Sequence, residues 1–336
     1  MNVVTRAGKD PLTLAALQAR FCDEDKCLAF IERARWPSGP ECPHCGVVNH
    51  ASRIKARPGQ FACLSCTKSF SVTSGTPMHK THLSVCIWII ASYLIATSSK
   101  GISSLKLASM LGLQYRTTWH LAHRIRAMMD TNPGLLTGIV ELDETYMGGK
   151  PRAENKPVPP AEIPLFEELK PEPPPKEDGR KKNKGRGTDK PMAFTAVERG
   201  GEVRLTSILS HGTVNLIEPV RKYVDPSAIL ATDELPAYLA IGRQHGGHIR
   251  VNHSAGEFAR RDVRTGLLAH CNTAESVHAL FKRAIIGVFH QISGKHMLRY
   301  LREVEFHWNN RGSFEGRLVK MFSTKAGPLP LKTLFA

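Results

Sequence analysis

Apolar positions along this chain repeat with helical spacing in some stretches and strand spacing in others, and the changes of period divide it. Residues 11–36 read as a short helical lead-in, and 37–80 has few long apolar runs and collects Cys, Gly, Pro and Ser. Residues 82–100 form an apolar helix with Trp88, Ile89, Ile90, Tyr93 and Leu94. A second helix, 103–111, carries Leu105, Leu107, Ala108 and Leu111, and Gly112 turns the chain into a third, 115–129. A strand at 138–142 ends at Asp143. Strands at 192–197 and 203–209 are joined through Gly200-Gly201, a hairpin signal. A helix at 215–224, a strand at 228–232 ending at Asp233, a helix start at 236–242 and a short strand at 249–251 follow, then helices at 272–288 and 295–309. That order predicts an α/β fold, a mixed sheet with flanking helices.

One stretch fits neither period. Residues 151–175 hold nine prolines, and a basic run follows at 180–190. Proline lacks the N–H that a helix interior or central strand needs, so 150–191 reads as an extended insertion. Its basic run suits either a DNA backbone or a solvated linker.

The formal net charge is +16, which a polyphosphate partner explains better than a small substrate. A membrane surface is the other sink for positive charge, but no apolar run reaches the ~18 residues of a transmembrane helix. No secretory signal is read at the N-terminus, and the expected setting is cytoplasmic, beside the nucleoid. No GxxxxGK[ST] phosphate loop occurs, so no nucleotide is expected. The basic helix after the Gly112 turn, with Arg116, His120, His123, Arg124 and Arg126, suits a helix-turn-helix on DNA over 81–130. It also suits a plain bundle with a solvated basic face.

Two knuckles, Cys42-Pro-His-Cys45 and Cys63-Leu-Ser-Cys66, stand seventeen residues apart. Two CxxC turns aim four sulfurs at one point, and four protein ligands leave no open position, so a structural zinc is expected. A redox pair would need one CxxC alone. Gly46 suits the turn after the first knuckle, and His44 points outward. Cys22, Cys27, Cys86 and Cys271 read as ordinary thiols.

Phosphodiester chemistry on divalent ions needs carboxylates from separate elements that converge. Asp143 and Asp233, each ending a strand, and Glu275, in the first turn of a helix, meet that need. Singly, each also suits a turn or a helix terminus. Lys282 lies two turns beyond Glu275 on the same face, where it can meet a phosphate. Asn272 reads as the helix cap.

Several stretches resemble bacterial insertion-sequence transposases of the zinc-ribbon, ISXO type. They are Arg35-Trp36-Pro37-Ser38-Gly39, Lys100-Gly101-Ile102-Ser103, Thr117-Thr118-Trp119 and His123-Arg124-Ile125-Arg126. Further on come Asp143-Glu144-Thr145-Tyr146 with Gly148-Gly149, Thr232-Asp233, Asn272-Thr273-Ala274-Glu275-Ser276 into Lys282-Arg283, and Tyr300-Leu301 through Asn309-Asn310-Arg311. The resemblance implies an RNase H-like DDE catalytic domain over 136–311, behind the zinc ribbon and the helix-turn-helix region, with 312–336 as a C-terminal tail. It implies Asp143, Asp233 and Glu275 as ligands of Mg or Mn, with Lys282 beside them. It also implies double-stranded DNA, as terminal inverted repeats and target, bound by a homo-oligomer. Arg116, Arg124, Arg126, Lys282 and Arg283 are the expected DNA contacts. Some relatives use Asn as the third acidic member, but a Glu is present here. The competing expectation is a DNA-binding regulator, or a domesticated derivative, with an inactive nuclease domain.

Overall fold

The structure, a computed structural model, describes residues 12–130, 134–147, 191–210 and 212–335. Gly148, Gly149 and the insertion expected at 150–191, up to residue 190, lie outside them.

The chain opens with α1 (Leu14–Arg20) and α2 (Glu24–Arg35). Asp23 caps α2, its carboxylate accepting the Lys26 N–H at 2.8 Å. A small antiparallel sheet follows, β1 (Ala51–Arg53), β2 (Gln60–Cys63) and β3 (Ser69–Ser71). Trp36 meets Phe61 and Phe70 edge-on, with ring centres 5.4 and 5.8 Å away, a minimal aromatic core under this zinc ribbon. Next come α3 (Val85–Thr97), α4 (Ser104–Leu111) and α5 (Tyr115–Met128). Apolar on nearly every side, α3 is buried on nearly every side. Gly112 adopts φ 65° to end α4, and α5 begins three residues later, the expected helix-turn-helix.

The second half contains β4 (Ile139–Tyr146), β5 (Met192–Glu198), β6 (Val203–Ile208), α6 (Thr213–Tyr223), β7 (Ile229–Thr232), α7 (Ala237–Gly242) and β8 (Gly247–Arg250). A small hairpin, β9 (Arg260–Arg261) with β10 (Leu268–Ala269), leads to α8 (Asn272–Ala284) and α9 (Gly294–Asn309). The chain closes with α10 (Phe314–Phe322) and α11 (Leu331–Phe335). Five strands lie in the order β6-β5-β4-β7-β8. β4, β5 and β6 run antiparallel, whereas β7 and β8 run parallel to β4. Side-chain alternation sends Val140 and Leu142 toward α6 and α7, and Ala193, Val197 and Leu205 toward α8 and α9. This mixed sheet between two helical layers is an RNase H-like core. Among the described residues no helix is long and apolar enough to cross a membrane.

Four expectations change. The strand expected to stop at Leu142 continues to Tyr146, because Asp143 through Tyr146 go on pairing with β5. Leu105, expected on an apolar face, is 70% exposed. Cys27 on α2 and Cys86 on α3 are not free thiols but are joined in a disulfide, the two helices lying side by side with Cα atoms 5.5 Å apart. Residues 312–336 are more than a tail: Leu318, Met321 and Phe322 of α10 complete the core of the front half, beside Phe30 and α3.

The fifth change concerns two arginines expected on DNA. Arg124 and Arg126 are 7% and 1% exposed. Arg124 donates to the carbonyls of Pro77 and His79 and lies 4.9 Å over the Trp88 ring, tying the end of the ribbon to the helices. Arg126 pairs with Glu303 of α9 at 2.6 Å and lies 4.2 Å over Tyr300. Two residues apart, they face different sides of α5, and each is held inward by partners on other elements. Arg126→Ala leaves the Glu303 carboxylate buried and unpaired, and is expected to cost about 3–5 kcal/mol in chemical denaturation. A loss below about 1 kcal/mol, the scale of a surface pair, would refute a structural role.

Candidate functional site

The four cysteines converge. The Cys42–Cys45 knuckle closes through Gly46 N–H on Cys42 O at 2.9 Å, with Gly46 at φ 74° as its left-handed turn needs. The Cys63–Cys66 knuckle closes the same way through Thr67, at φ 59°. Cys42 Sγ stands 3.7 Å from Cys66 Sγ and Cys45 Sγ 3.6 Å from Cys63 Sγ, and all four ligand atoms lie within 4.8 Å. A tetrahedron with bonds of about 2.3 Å has edges of about 3.8 Å, so the set fits one four-thiolate metal ion. The backbone N–H of Cys66, with that of Ser65, lowers the Cys63 thiol to about 7. His44, between the ligands, is exposed.

The acidic residues meet on the α8 face of the sheet. On β4, Glu141 and Asp143 are two apart and share that face. β7 runs parallel beside β4 with Glu141 opposite Ala231, and two residues farther along each chain come Asp143 and Asp233. Asp233 sits just past Thr232, the last residue of β7, and accepts the Leu235 N–H at 2.9 Å. Asp143 Oδ1 accepts the Glu144 N–H at 2.8 Å, and Oδ2 lies 3.3 Å from His278 Nδ1 on α8. The other ring nitrogen of His278 meets Thr195 Oγ1 at 2.8 Å, and Thr195 is the β5 partner of Asp143. Glu275 lies one turn before His278, exposed, 4.0 Å from His253 Nε2. Lys282 and Arg283 are exposed in the last turn of α8.

Cys271, just ahead of α8, senses the convergence. Burial and then the charges of Asp143, Glu141 and Asp233 push its thiol well above the ordinary range. Among the described residues, Asp143, Asp233 and Glu275 do not form a tight group like that of the four cysteines.

Asn272 is not the cap of α8. It is the first helical residue and exposed, while the cap position is Cys271, which offers no side-chain bond. Glu141, 0% exposed, reaches across from β4 to the N–H groups of Thr273 and Ala274. Sequence reading missed Glu141 and His278. Strand alternation from Asp143 points to Glu141, but its partners lie far along the chain.

Of the expected DNA contacts, Arg116 is exposed in the first turn of α5, 5.7 Å over Phe335. Gln114, Tyr115 and Thr117 are exposed with it, as are Leu105, Lys106 and Met110 of α4. His123 faces the interior among Trp119, His296 and Tyr300, and burial holds it neutral, its pKa lowered to about 2.

The pattern of the ISXO2-like transposase domain matches residues 135–309, and that of the transposase zinc-ribbon domain matches residues 22–69. A protein of Halobacterium salinarum, described as an uncharacterized protein in transposable element ISH50, is 24% identical over 298 residues, covering 84% of this chain and 90% of that protein. No solved structure matches the chain.

Proposed function

The chain belongs to the ISXO2-like transposase family, and from that premise we propose that it binds the terminal inverted repeats of an insertion sequence and catalyses DNA strand cleavage and strand transfer. What supports the reading is that Asp143 on β4 and Asp233, just past the end of β7, follow the parallel register of the two strands, while Glu275 lies on α8, which packs on β4 and β5. Magnesium or manganese, when bound, would activate the attacking oxygen and neutralise the leaving one. Asp143, Asp233 and Glu275 would hold it, and Lys282, exposed two turns beyond Glu275, would meet a DNA phosphate. Water attacks the phosphorus at the end of the insertion sequence. The P–O3′ bond breaks and a 3′-hydroxyl is released. In the second step that hydroxyl attacks a target phosphodiester, forming one P–O bond as another breaks, so no nucleotide energy source is needed. Retention of all three carboxylates speaks against an inactive regulator.

The front half is the end-binding part of this reading, with zinc in the ribbon as its structural metal. In a helix-turn-helix the first turn of the second helix enters the major groove. Here that turn presents Gln114, Tyr115, Arg116 and Thr117. Working on both ends of one insertion sequence and on a target suits a homo-oligomer assembled on DNA.

The test is magnesium-dependent cleavage of a duplex carrying the flanking terminal repeats, against a scrambled duplex. Equal cutting of both would make the chain a general nuclease. Binding is expected to weaken steeply with salt. Arg116→Ala should flatten the slope of log K against log salt by about 0.9, the effect of one lost phosphate contact. An unchanged slope would place the contacts elsewhere.

A further inference from the structure

We propose that Glu141 is a positioning residue: its buried carboxylate sets where the first turn of α8 stands on the sheet, and so fixes Glu275 against Asp143. The proposal rests on the transposase reading for what the alignment serves, but its geometry stands by itself.

Both oxygens of Glu141 are occupied. Oε2 accepts the backbone N–H groups of Thr273 at 2.8 Å and Ala274 at 3.2 Å. Oε1 accepts Arg199 Nε at 2.8 Å and Thr273 Oγ1 at 3.1 Å. His270 Nδ1 lies 3.1 Å from Oε1, out of line for a hydrogen bond. Arg199 extends the clamp: Nη1 donates to Leu268 O at 2.5 Å and Nη2 to His270 O at 3.0 Å. One carboxylate and one guanidinium thus join β4, the end of β5, the last strand of the small hairpin and the start of α8.

A helix start leaves its first N–H groups unpaired, and a residue at its own cap position ordinarily meets that need. Cys271 does not, so the acceptor comes from another element. Glu141 stands two positions before Asp143 along β4, and Ala274, which it binds, is the neighbour of Glu275. The carboxylate also lies in the favourable field of the helix N-terminus. Burying a third negative charge beside Asp143 and Asp233 is unfavourable unless it is paired. Arg199 provides the pairing, and an apolar residue at 141 would remove the repulsion but leave the helix start free to shift.

The full-length zinc-loaded protein and its Glu141→Ala and Glu141→Gln variants would be compared in four measurements. These are amide hydrogen exchange at Thr273 and Ala274, Mn2+ binding by electron paramagnetic resonance, single-turnover cleavage at saturating DNA, and affinity for the end duplex. In Glu141→Ala, exchange at those two amides should rise roughly tenfold while β5 amides keep their protection. Mn2+ affinity should fall about tenfold and cleavage about 100-fold, the scale of a misplaced reacting group, with DNA affinity unchanged. Glu141→Gln keeps an acceptor for the helix but loses the match to Arg199, and should fall between Ala and the wild type. Wild-type exchange at Thr273 and Ala274 in the Ala variant would overturn the proposal. So would exchange that rises equally across the sheet, or wild-type Mn2+ binding. If the Ala variant does not fold, wild-type exchange, Mn2+ binding and cleavage in Glu141→Gln would overturn it. A wild-type protein that cuts no DNA would defeat the transposase reading instead, and the exchange and Mn2+ measurements would still decide the clamp.

Discussion

Asp143→Asn, Asp233→Asn and Glu275→Gln should each reduce magnesium-dependent strand cleavage by about 1,000-fold or more, at the upper end of what one lost electrostatic contact costs, while binding to the end duplex persists. Two divalent ions bring a charge of +4, and the three carboxylates offset most of it. An amide of the same shape offers one neutral oxygen, so the ions are lost or misplaced and the charge developing at phosphorus goes uncompensated. On the proposed reading, end-binding draws on a surface around Arg116 and not on these residues. Asn272→Ala should be mild, because Asn272 is exposed and caps nothing. The measurement is cleavage by purified variants beside a gel-shift assay. Should Glu275→Gln cut normally while Asn272→Ala does not, the third ligand is Asn272.

Removal of the ribbon metal should have the largest effect on folding. Structural zinc supplies roughly 10–16 kcal/mol of apparent folding energy in small modules. Cys42 and Cys63 belong to the same buried core as Trp36, Phe61 and Phe70. That core runs on through α2, α3 and α10, so the damage should not stop at the ribbon. Chelation or Cys63→Ser is expected to expose Trp36, loosen α2 and α10 and abolish end-binding, with the five-stranded sheet intact. Hydrogen exchange resolved by region, with metal analysis of the pure protein, would check this. Pure protein lacking zinc, or a metal-free protein with native front-half protection, would refute it.

Some of this was legible in the sequence because the signals are local. The knuckles place their sulfurs by short turns, and Gly46 and Gly112 stand where the chain turns left-handed. The succession of strands and helices in the second half also follows from short windows. What failed was set by distant partners. Arg126 is turned inward by Glu303, 177 residues away, and charge along a helix cannot reveal that. The start of α8 is capped by Glu141, 132 residues before Thr273, so Asn272 took the role on paper only. The end of β4 depends on pairing with β5 across the insertion, and the disulfide on two helices whose cysteines are 59 residues apart.

The packing of α10 into the front core means that the order in which the chain is made differs from the order in which its parts can be finished. When the ribosome has delivered the ribbon and the three helices after it, Leu318, Met321 and Phe322 do not yet exist, and the apolar surface beside Phe30 is bare. The front half is completed only after the whole five-stranded sheet has been synthesised. Products of interrupted translation therefore lack a finished front half, the part proposed to bind DNA.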